Sequence, residues 1–600
     1  MIDFLYSREP AAARDMAVAL RRFRADTELR LHEWSGPWGA LVTIGPAYPG
    51  FEPVETETGV LVVLGGPLPR QDYSVATGAS DDDGSRWILG RWIDQGQLVW
   101  DDDLVGHFLV FYIDKESGTA TAVTDFDSFV PGYFLPGDTA APMAIGSHVD
   151  ALATAFGLAR EIDVVSVAEF MVHGVVTEPH TFYEGVRQLP FAAASEFARG
   201  EKPRTLRYWS WQEVADRLSF GCTAQELRDV VQSNVERICA GQEEINLLMS
   251  GGEDSRVISA LIPDGIVVHG RTFSDTYNHE AQTARRVAEA MGIEWKHVPR
   301  TPAHYAEQAS ASVRLTESEN TILHAHLGGL SDCLVPGVRC IGGLWADALF
   351  KALFVQTVDQ WGVATRIEID QPTRVWFGFE NDVHVFGQSD VLASVERRRE
   401  GRRQRMMALR PSSWAEYTAF LPADMTQGYA QVPVARRLAF AYEPYLDARA
   451  FKLAARTPAS WKINRRLAHK AMKRALQPTW YIPHANGTMP YFGLWLNAPL
   501  SLLRRLSRRI VKLLHLPGHG DETGQGPWPE WDEVIASAEF GAAVHAALEG
   551  SGGLGEWPEL ERIGECIMSD DGFRPGWRFA YLQVLSWLSN ASHEQGEGRA

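Results

Sequence analysis

A glycine pair flanked by hydroxyl and carboxylate side chains interrupts the stretch INLLMSGGEDSRVIS near the middle of the chain. The apolar run before it predicts a strand, and the pattern after it predicts a helix. Gly251 and Gly252 allow a turn in which successive N–H groups point at one anion, and the following helix adds positive dipole. Ser250 and Ser255 can donate hydrogen bonds to phosphate, and Asp254 is a hard oxygen ligand suited to Mg²⁺. The segment predicts a phosphate-binding loop, the alternative being an ordinary Gly-rich turn between a strand and a helix.

The loop lacks the Gly-Lys-Ser/Thr ending of the Walker loop, and the dipeptide Gly-Lys occurs nowhere in the chain. Chemistry at the γ-phosphate is therefore disfavoured, and cleavage of ATP at the α-phosphate is expected. The pattern Ser-Gly-Gly-x-Asp-Ser resembles the pyrophosphatase loop of N-type ATP pyrophosphatases. Within that group the sequence is most similar to asparagine synthetases, β-lactam synthetases and lasso-peptide cyclases.

This resemblance extends along most of the chain, because further motifs of the group follow in the same order. They are LVGHF at 104–108, IGSH at 145–148, EFMVHG at 169–174, TFYEGVRQLP at 181–190, LRYW at 206–209 and GGLWADALF at 342–350. The resemblance implies that Gly343 faces the pyrophosphate. It also implies that Asp347, about 93 residues after Asp254, holds Mg²⁺ together with it. For Asp347 the alternative is an aspartate that caps a loop.

The next predicted strand covers residues 266–270, and the resemblance places the adenine of ATP against its end, with His269 among the nucleotide-binding residues. A helix is expected from Glu280 to Met291. Glu280 has two interpretations, since a glutamate in the first turn can contact a ligand or simply favour the helix dipole. Trp345 likewise either stacks on a ligand or belongs to the core.

Two candidate catalytic residues lie in the last third of the chain. Lys470, on a basic helix with Lys473 and Arg474, would offset the charge of departing pyrophosphate. His484 follows Tyr-Ile-Pro, where the resemblance implies Arg-Pro-Lys with a lysine near the acyl phosphate. A neutral His484 could accept the proton of an attacking ammonium. A structural histidine is the alternative.

Short β-like runs separated by Gly, Pro and Asp fill the first 205 residues, among them 59–64 and 108–113. The resemblance implies a sheet-rich glutamine amidotransferase domain here. In glutamine-dependent members that domain begins with a cysteine nucleophile, whereas this chain has Ile2, and the glutamine-binding Asn-Gly-Glu is replaced by Leu-Gly-Gly-Pro at 64–67. We expect no glutaminase activity, so that the amine must come from another source.

The expected fold class is α/β in two domains. Residues 1–205 are predicted to form a degenerate, glutamine amidotransferase-like domain of the Ntn-hydrolase-like α+β sandwich type. Residues 214–595 are predicted to form the ATP pyrophosphatase ligase domain, a doubly wound parallel sheet of the adenine-nucleotide α-hydrolase type. The length of 600 residues suits two cores rather than one.

Composition narrows the class of partner. With 45% hydrophobic and 22% charged residues the usage is that of a globular enzyme, and the net charge of −19 disfavours nucleic acid. The five cysteines show no CxxC pairing, and we expect neither disulfides nor a zinc site. The sequence shows neither a signal peptide nor an apolar run of membrane-spanning length, so a cytoplasmic protein is expected.

Two basic stretches, 397–405 and 504–512, stand against this acidic background. Each is interpreted as a solvated face or, alternatively, as a docking site for an acidic peptide, carrier or protein. The second lies in a predicted amphipathic helix. Residues 515–530 are expected to be a mobile insertion.

These observations predict an ATP-dependent amide ligase with ATP and Mg²⁺ as cofactors. Its substrate would be a small molecule or peptide that carries a carboxylate and an amine. Lasso-type macrolactam formation is the preferred specific version, with a precursor peptide and a leader-processing protein as partners. The alternatives are a ligase that uses free ammonia or a small amine, and a non-catalytic nucleotide-binding scaffold.

Overall fold

A computed structural model describes most of the chain. The described residues are 1–24, 29–70, 83–137, 143–214, 218–316, 318, 326–360, 363–368, 383–419, 421, 431–485, 487–513, 526, 528–569 and 575–592. The expected insertion at 515–530 therefore lies largely outside the described residues.

The first part of the chain folds into two six-stranded sheets in which every pairing is antiparallel. Its strands are β1 Asp3–Ser7, β2 Leu31–Gly36, β3 Gly39–Ile44, β4 Val54–Glu55, β5 Gly59–Leu64, β6 Leu68–Pro69, β7 Leu104–Val105, β8 Leu109–Asp114, β9 Ala120–Thr124, β10 Tyr133–Leu135, β11 Ala144–Gly146, β12 Arg187–Gln188, β13 Ala193–Phe197 and β14 Arg204–Arg207. Its helices are α1 Ala13–Phe23, α2 Gly84–Leu89, α3 Val149–Ala155 and α4 Val164–His173. One sheet has the order β12-β10-β11-β1-β3-β2 and the other the order β14-β13-β9-β8-β5-β4, while β6 and β7 pair separately.

The two sheets pack face to face through their apolar residues. All six side chains of β5 are buried, as the run GVLVVL predicted. Across the interface, the rings of Phe4 on β1 and Phe111 on β8 have centroids 4.8 Å apart. This arrangement confirms the layered, sheet-rich fold expected for the N-terminal part.

The second part is built around five parallel strands in the order β17-β16-β15-β18-β21. They are β15 Glu244–Leu248, β16 Val267–Ser274, β17 Glu294–Pro299, β18 Cys340–Ile341 and β21 Ala441–Tyr442, and a separate hairpin is formed by β19 Thr357–Gln360 and β20 Val363–Ile367. The chain runs outward from β15 through β16 to β17 and then returns to place β18 on the other side of β15. The strand order thus reverses at β15, and in open α/β sheets ligands bind outside the carboxyl ends of the strands at such a point.

Helices surround this sheet and continue to Ser592, the last residue that the structure describes. They are α5 Phe220–Cys239, α6 Glu253–Leu261, α7 His279–Met291, α8 Pro302–Glu307, α9 Ala309–Thr316, α10 Ala346–Phe350, α11 Asp390–Leu409, α12 Trp414–Thr418, α13 Gln431–Leu438, α14 Ala448–Arg456, α15 Ala459–Lys462, α16 Arg466–Met472, α17 Leu494–Leu513, α18 Trp531–Ala536, α19 Ala538–Ser551, α20 Pro558–Ser569 and α21 Pro575–Ser592. Among the described residues, none of the helices is both long and apolar enough to cross a membrane.

The last helices pack on the N-terminal part rather than on the parallel sheet. The Trp577 indole on α21 donates to the Val172 carbonyl at 2.9 Å, and the Trp587 indole donates to the Tyr183 hydroxyl at 2.8 Å. Side chains of α18 to α21 share a hydrophobic cluster with α1, α3 and α4. Chain-terminal residues therefore complete the core of the first part.

The basic stretch 397–405 joins the two parts of the molecule. On α11, the Arg398 guanidinium lies 2.9 Å from Asp163, and that of Arg399 lies 3.7 Å from the buried Glu169. Arg398 and Arg399 are thus paired within the chain, and docking of an acidic partner on this stretch stays a prediction. The other stretch, 504–512, lies in helix α17 as predicted, but most of its side chains are outside the described set.

Candidate functional site

The predicted loop lies at the carboxyl end of β15 and leads directly into α6. The Ser255 hydroxyl donates to the Ser250 carbonyl at 2.8 Å, and the Gly252 N–H donates to the Ser250 hydroxyl at 3.1 Å. A methyl group on Gly252 would lie 2.8 Å from that hydroxyl oxygen, so a larger residue there would displace the Ser250 hydroxyl. The two serines and the glycine therefore close a tight turn at the strand end.

Glu280 holds this turn from the neighbouring helix α7. Its carboxylate accepts a hydrogen bond from the Gly251 N–H at 2.7 Å, and burial raises its pKa. A methyl group on Gly251 would lie 2.9 Å from Cβ of Thr283 on the same helix. Glu280 is thus a partner of the loop backbone and does more than complement the dipole of its helix.

Arg256 connects the loop to the segment that carries His484. Its guanidinium donates to the carbonyls of Ile482 at 2.7 Å, Pro483 at 2.9 Å and Gly251 at 2.9 Å. As a result, a methyl group on Gly252 would lie 3.7 Å from Nε2 of His484. Burial, together with Arg465, Arg256 and Lys351, lowers the pKa of His484 to about 4. Its imidazole is therefore neutral at pH 7, the form that can accept a proton.

Three carboxylates and two cations meet beside the loop. The Lys351 ammonium contacts Asp254, lies 3.3 Å from Asp347 and lies 3.7 Å from Glu253. The Arg465 guanidinium lies 3.1 Å from Glu253 and 4.0 Å from Asp347. The side chains of Lys351 and Glu253 are 4% and 5% exposed, whereas that of Asp347 is 46% exposed. One side of the cluster is therefore interior and the other is open.

Burial and the ion pairs act in opposite directions on these groups. Burial acts to raise the pKa of Asp347 and Glu253, but the Lys351 ammonium and the Arg465 guanidinium together outweigh it and lower the pKa of both groups. Burial acts to lower the pKa of Lys351, but Asp254, Asp347 and Glu253 raise it well above its usual range. For Asp254, burial prevails over Lys351 and raises the pKa.

Unusual backbone conformations surround this cluster. Of the six non-glycine residues with positive φ in the described part, four lie beside it: Trp345, Ala352, Asn464 and Arg465, with φ of 76°, 62°, 54° and 58°. Residues other than glycine rarely adopt a positive φ, and backbone strain of this kind concentrates at functional sites. The indole of Trp345 is buried against Phe129 and Phe451, which agrees with its core interpretation.

The loop before α10 is held against Asp254 by close packing. A methyl group on Gly343 would lie 3.1 Å from Cβ of Asp254. The Leu344 N–H donates to the buried Glu443 carboxyl group at 2.8 Å, and burial raises the pKa of Glu443 to about 8. Gly342 leaves room for that group, because a methyl there would lie 2.0 Å from Oε1 of Glu443.

Most of the predicted site residues converge on this crevice. Those that do so are Ser250, Gly251, Gly252, Asp254, Ser255, Gly343, Asp347 and His484. Two do not. His269 lies in register with Asn246, toward the amino end of β16, where its ring contacts Glu244 at 3.2 Å and Glu294 at 3.0 Å. Lys470 is exposed on α16, and Lys351 and Arg465 supply the cations of the cluster instead.

Sequence reasoning missed Lys351, Arg465 and Arg256. Lys351 offered a signal, because it follows Asp347 by four residues, the spacing at which a lysine and an aspartate can pair on a helical turn. Arg256 offered none, since two of its three carbonyl partners, those of Ile482 and Pro483, lie more than 200 residues away in the chain.

The residues around Asp254 do not fit an open magnesium site as they stand. Both expected ligands, Asp254 and Asp347, contact the same ammonium. In the part of the chain that the structure describes, no three or more His, Cys, Asp or Glu side chains are arranged as a metal site.

Comparison with known families agrees with this geometry. The glutamine amidotransferase domain family matches residues 80–209, and the asparagine synthase family matches residues 226–326, which include the loop and β16. These two matches, in this order along the chain, support a place in the asparagine synthetase-like superfamily. The Gly343, Asp347 and His484 segments lie beyond the matched residues.

Solved structures show only distant similarity to this asparagine synthetase-like chain. One is a glutamine phosphoribosylpyrophosphate amidotransferase from B. subtilis complexed with ADP and GMP, at 10% identity and a TM-score of 0.24 over 49% of this chain. Another, titled the allosteric regulatory enzyme of purine biosynthesis, has 11% identity and a TM-score of 0.24 over 49%. The match spans 65% and 64% of those chains. No curated protein matches the sequence.

Proposed function

We propose that this protein is an ATP-dependent ligase that activates a carboxylate as its adenylate and transfers the acyl group to an amine, with release of pyrophosphate and AMP. The observation that carries the proposal is the convergence of three segments at the carboxyl end of β15. They are the loop Ser250–Ser255, the Gly343–Asp347 segment and His484. The asparagine synthase match across the loop supports it.

In the first step a substrate carboxylate oxygen attacks the α-phosphorus of ATP, and the bond from that phosphorus to the bridging oxygen breaks. The leaving pyrophosphate takes the electron pair. The Ser250 hydroxyl can donate to its oxygens, the Ser255 hydroxyl can do so once it turns away from the Ser250 carbonyl, and the start of α6 adds positive dipole. Arg465, 45% exposed at the open side of the cluster, is a further cation that can reach it.

In the second step the amine attacks the acyl carbon of the adenylate, and AMP leaves. The attacking nitrogen must lose a proton. His484 is neutral at pH 7, lies at the loop, and is the group proposed to take that proton. Holding both reactants in one crevice supplies effective molarity and keeps water from the adenylate.

Magnesium accompanies ATP in solution, where phosphate oxygens hold it. Asp254 and Asp347 would be its protein ligands in this site, but both already contact Lys351. We therefore assign no step to a metal held by these carboxylates.

The N-terminal part of the chain bears on where the amine comes from. Ile2, at the position of the family's nucleophile, is a buried apolar side chain. We propose that glutamine is not the donor and that donor and acceptor reach the site together, as in lasso-type macrolactam formation on a precursor peptide prepared by a leader-processing protein. A ligase that uses free ammonia or a small amine is the alternative.

A non-catalytic scaffold is the second candidate, favoured by one observation. Contacts within the chain already satisfy the Gly251 N–H, the Gly252 N–H and the carboxylates of Asp254 and Asp347. Such a site can be stable without turning over ATP.

ATP–pyrophosphate exchange, measured with and without candidate carboxylates, tests the proposal. We expect carboxylate-dependent exchange that falls by at least about 100-fold in Asp254→Asn, because the charge of Asp254 holds the Lys351 ammonium beside the phosphate-binding loop. Asp264→Asn, at an exposed position beyond the end of α6, is the matched control and should keep full exchange. ATP binding without exchange for any carboxylate would support the scaffold.

A further inference from the structure

Lys351 places a buried ammonium where the segments that carry Asp254 and Asp347 face each other. It is 4% exposed and contacts both of these carboxylates and Glu253. Three carboxylates this close repel one another unless a cation lies between them. The ammonium of Lys351 fills that role in this structure.

The backbone keeps the ammonium in this place. Asp347 lies on the short helix α10, and Lys351, four residues later, is the residue that caps its C-terminal end, so this one turn of chain presents both side chains to Asp254. Left-handed residues lie on either side of α10, Trp345 before it and Ala352 after it. The rings of Phe129 and Phe451 pack against Trp345 and so fix the N-terminal end of α10. The position of Lys351 is therefore built into the fold.

The charges already present oppose the binding of a divalent cation among these three carboxylates. Glu253, Asp254 and Asp347 carry three negative charges, and Lys351 and Arg465 carry two positive ones. A divalent ion bound to Asp254 and Asp347 would lie within contact distance of the Lys351 ammonium and repel it. The ion and the lysine thus compete for one position.

We propose that Lys351 is a resident counter-cation of this site, an amine of the chain that takes the place of a protein-bound divalent ion between Asp254 and Asp347. This proposal takes one element from the proposed function, namely that ATP binds at the loop Ser250–Ser255. Its consequence is that a metal ion brought by ATP is held by phosphate oxygens and not by these two carboxylates.

Titration of the nucleotide-free protein with Mn²⁺, followed by the loss of the free-ion electron paramagnetic resonance signal, tests this proposal. We expect the wild type to bind no Mn²⁺ at the cluster. Lys351→Met should bind about one Mn²⁺ per chain because it frees two carboxylates, and the double variant Lys351→Met/Asp347→Asn should lose that ion. A wild type that binds one Mn²⁺, lost in Asp347→Asn, would overturn the proposal, as would a folded Lys351→Met that gains none.

Lys462→Met is the matched control. Lys462 is also fully buried, but it pairs with one carboxylate, Glu416, at 2.7 Å. Its replacement should reduce stability without creating a Mn²⁺ site, since one carboxylate is too few ligands. If Lys351→Met does not fold, the wild type, Asp347→Asn and the charge-retaining Lys351→Arg decide the question. The proposal requires that none of the three binds Mn²⁺.

ATP binding measured calorimetrically in EDTA and in Mg²⁺ separates this proposal from the proposed function. We expect the wild type to lose less than about tenfold in affinity on metal removal, and Lys351→Met to lose more. A wild type that loses as much as the variant would contradict a resident cation. Absence of ATP binding under both conditions would defeat the proposed function, while the Mn²⁺ titration would still decide the role of Lys351.

Discussion

The two sheet systems differ in what stands at the strand ends where chemistry is expected. In the parallel sheet, β15 leads into a loop of hydroxyls, glycines and a carboxylate, and Asp347 opposite it is half exposed. In the antiparallel sandwich, β1 is preceded by the buried apolar Ile2. The next residue, Asp3, is fully buried and bonded to Ser147, Arg24 and Arg437.

Polar groups at the loop can meet a ligand, whereas those at Asp3 pair only with other residues of the protein. At the loop, an open side remains where a ligand can meet the charges. At Asp3, every contact is internal, and one of them comes from α13 of the other part of the molecule. We propose on this ground that the first part serves as a packing partner and that the chemistry is confined to the second.

The largest expected effect comes from breaking the buried pair that joins the two parts. Arg437→Ala leaves Asp3 with one fewer cation in a fully buried position, and we expect a loss of about 3–5 kcal/mol in the free energy of unfolding, measured by urea denaturation. Burial acts to raise the pKa of Asp3, but Arg437 and Arg24 outweigh it and hold that pKa well below its usual range. The contribution of the pair is therefore present above about pH 4 and lost as the pH falls below it.

Arg14→Ala is the control for this variant, because Arg14 is an exposed residue of α1 in the same sandwich. It should change stability by no more than about 0.5 kcal/mol. The difference in free energy of unfolding between Arg437→Ala and the wild type should become smaller below about pH 4. A difference that does not change with pH would mean that Arg437 acts through packing alone, and the contrast drawn here between Asp3 and the loop would lose its support.

A second prediction concerns Glu443, the buried carboxyl group behind the site. Burial raises its pKa to about 8, above the value of about 4.3 expected in the unfolded chain. Between these values the folded state holds a proton that the unfolded state releases, so stability should fall as the pH rises, by at most about 1.4 kcal/mol per pH unit. Glu443→Gln should remove this slope, as measured by thermal unfolding from pH 5 to pH 8.

Glu416→Gln is the contrasting variant. Glu416 is also buried but pairs with the Lys462 ammonium, so neutralising it should destabilise the protein throughout that pH range. If Glu443→Gln and Glu416→Gln lowered stability equally at pH 6, Glu443 would be ionised in the folded protein well below pH 8 and the prediction would fail.

The sequence predicted the parts of this molecule in which the residue pattern itself determines the local structure. The apolar run of β5, the Ser-Gly-Gly turn and the helix at 280–291 depend on neighbours in the chain, and the structure has all three. His269 was misplaced because a strand pattern does not reveal where along the strand a ligand lies. Lys351 and Arg465 were missed because their role depends on three carboxylates brought together by distant segments.

The smallest predicted effect belongs to the half-buried contacts between α11 and α4. Arg398 lies 2.9 Å from both Asp163 and the Ser166 hydroxyl, with its side chain 20% exposed. We expect Arg398→Ala to lower the free energy of unfolding by about 1 kcal/mol, because partly solvated ion pairs are weak and salt screens them. Arg397→Ala, at the exposed neighbouring position on α11, should be neutral. The strength of such a pair depends on its burial, so Arg398→Ala should cost less stability than Arg437→Ala. An equal loss would show that the α11 contacts and the Asp3 contact hold the two parts together equally.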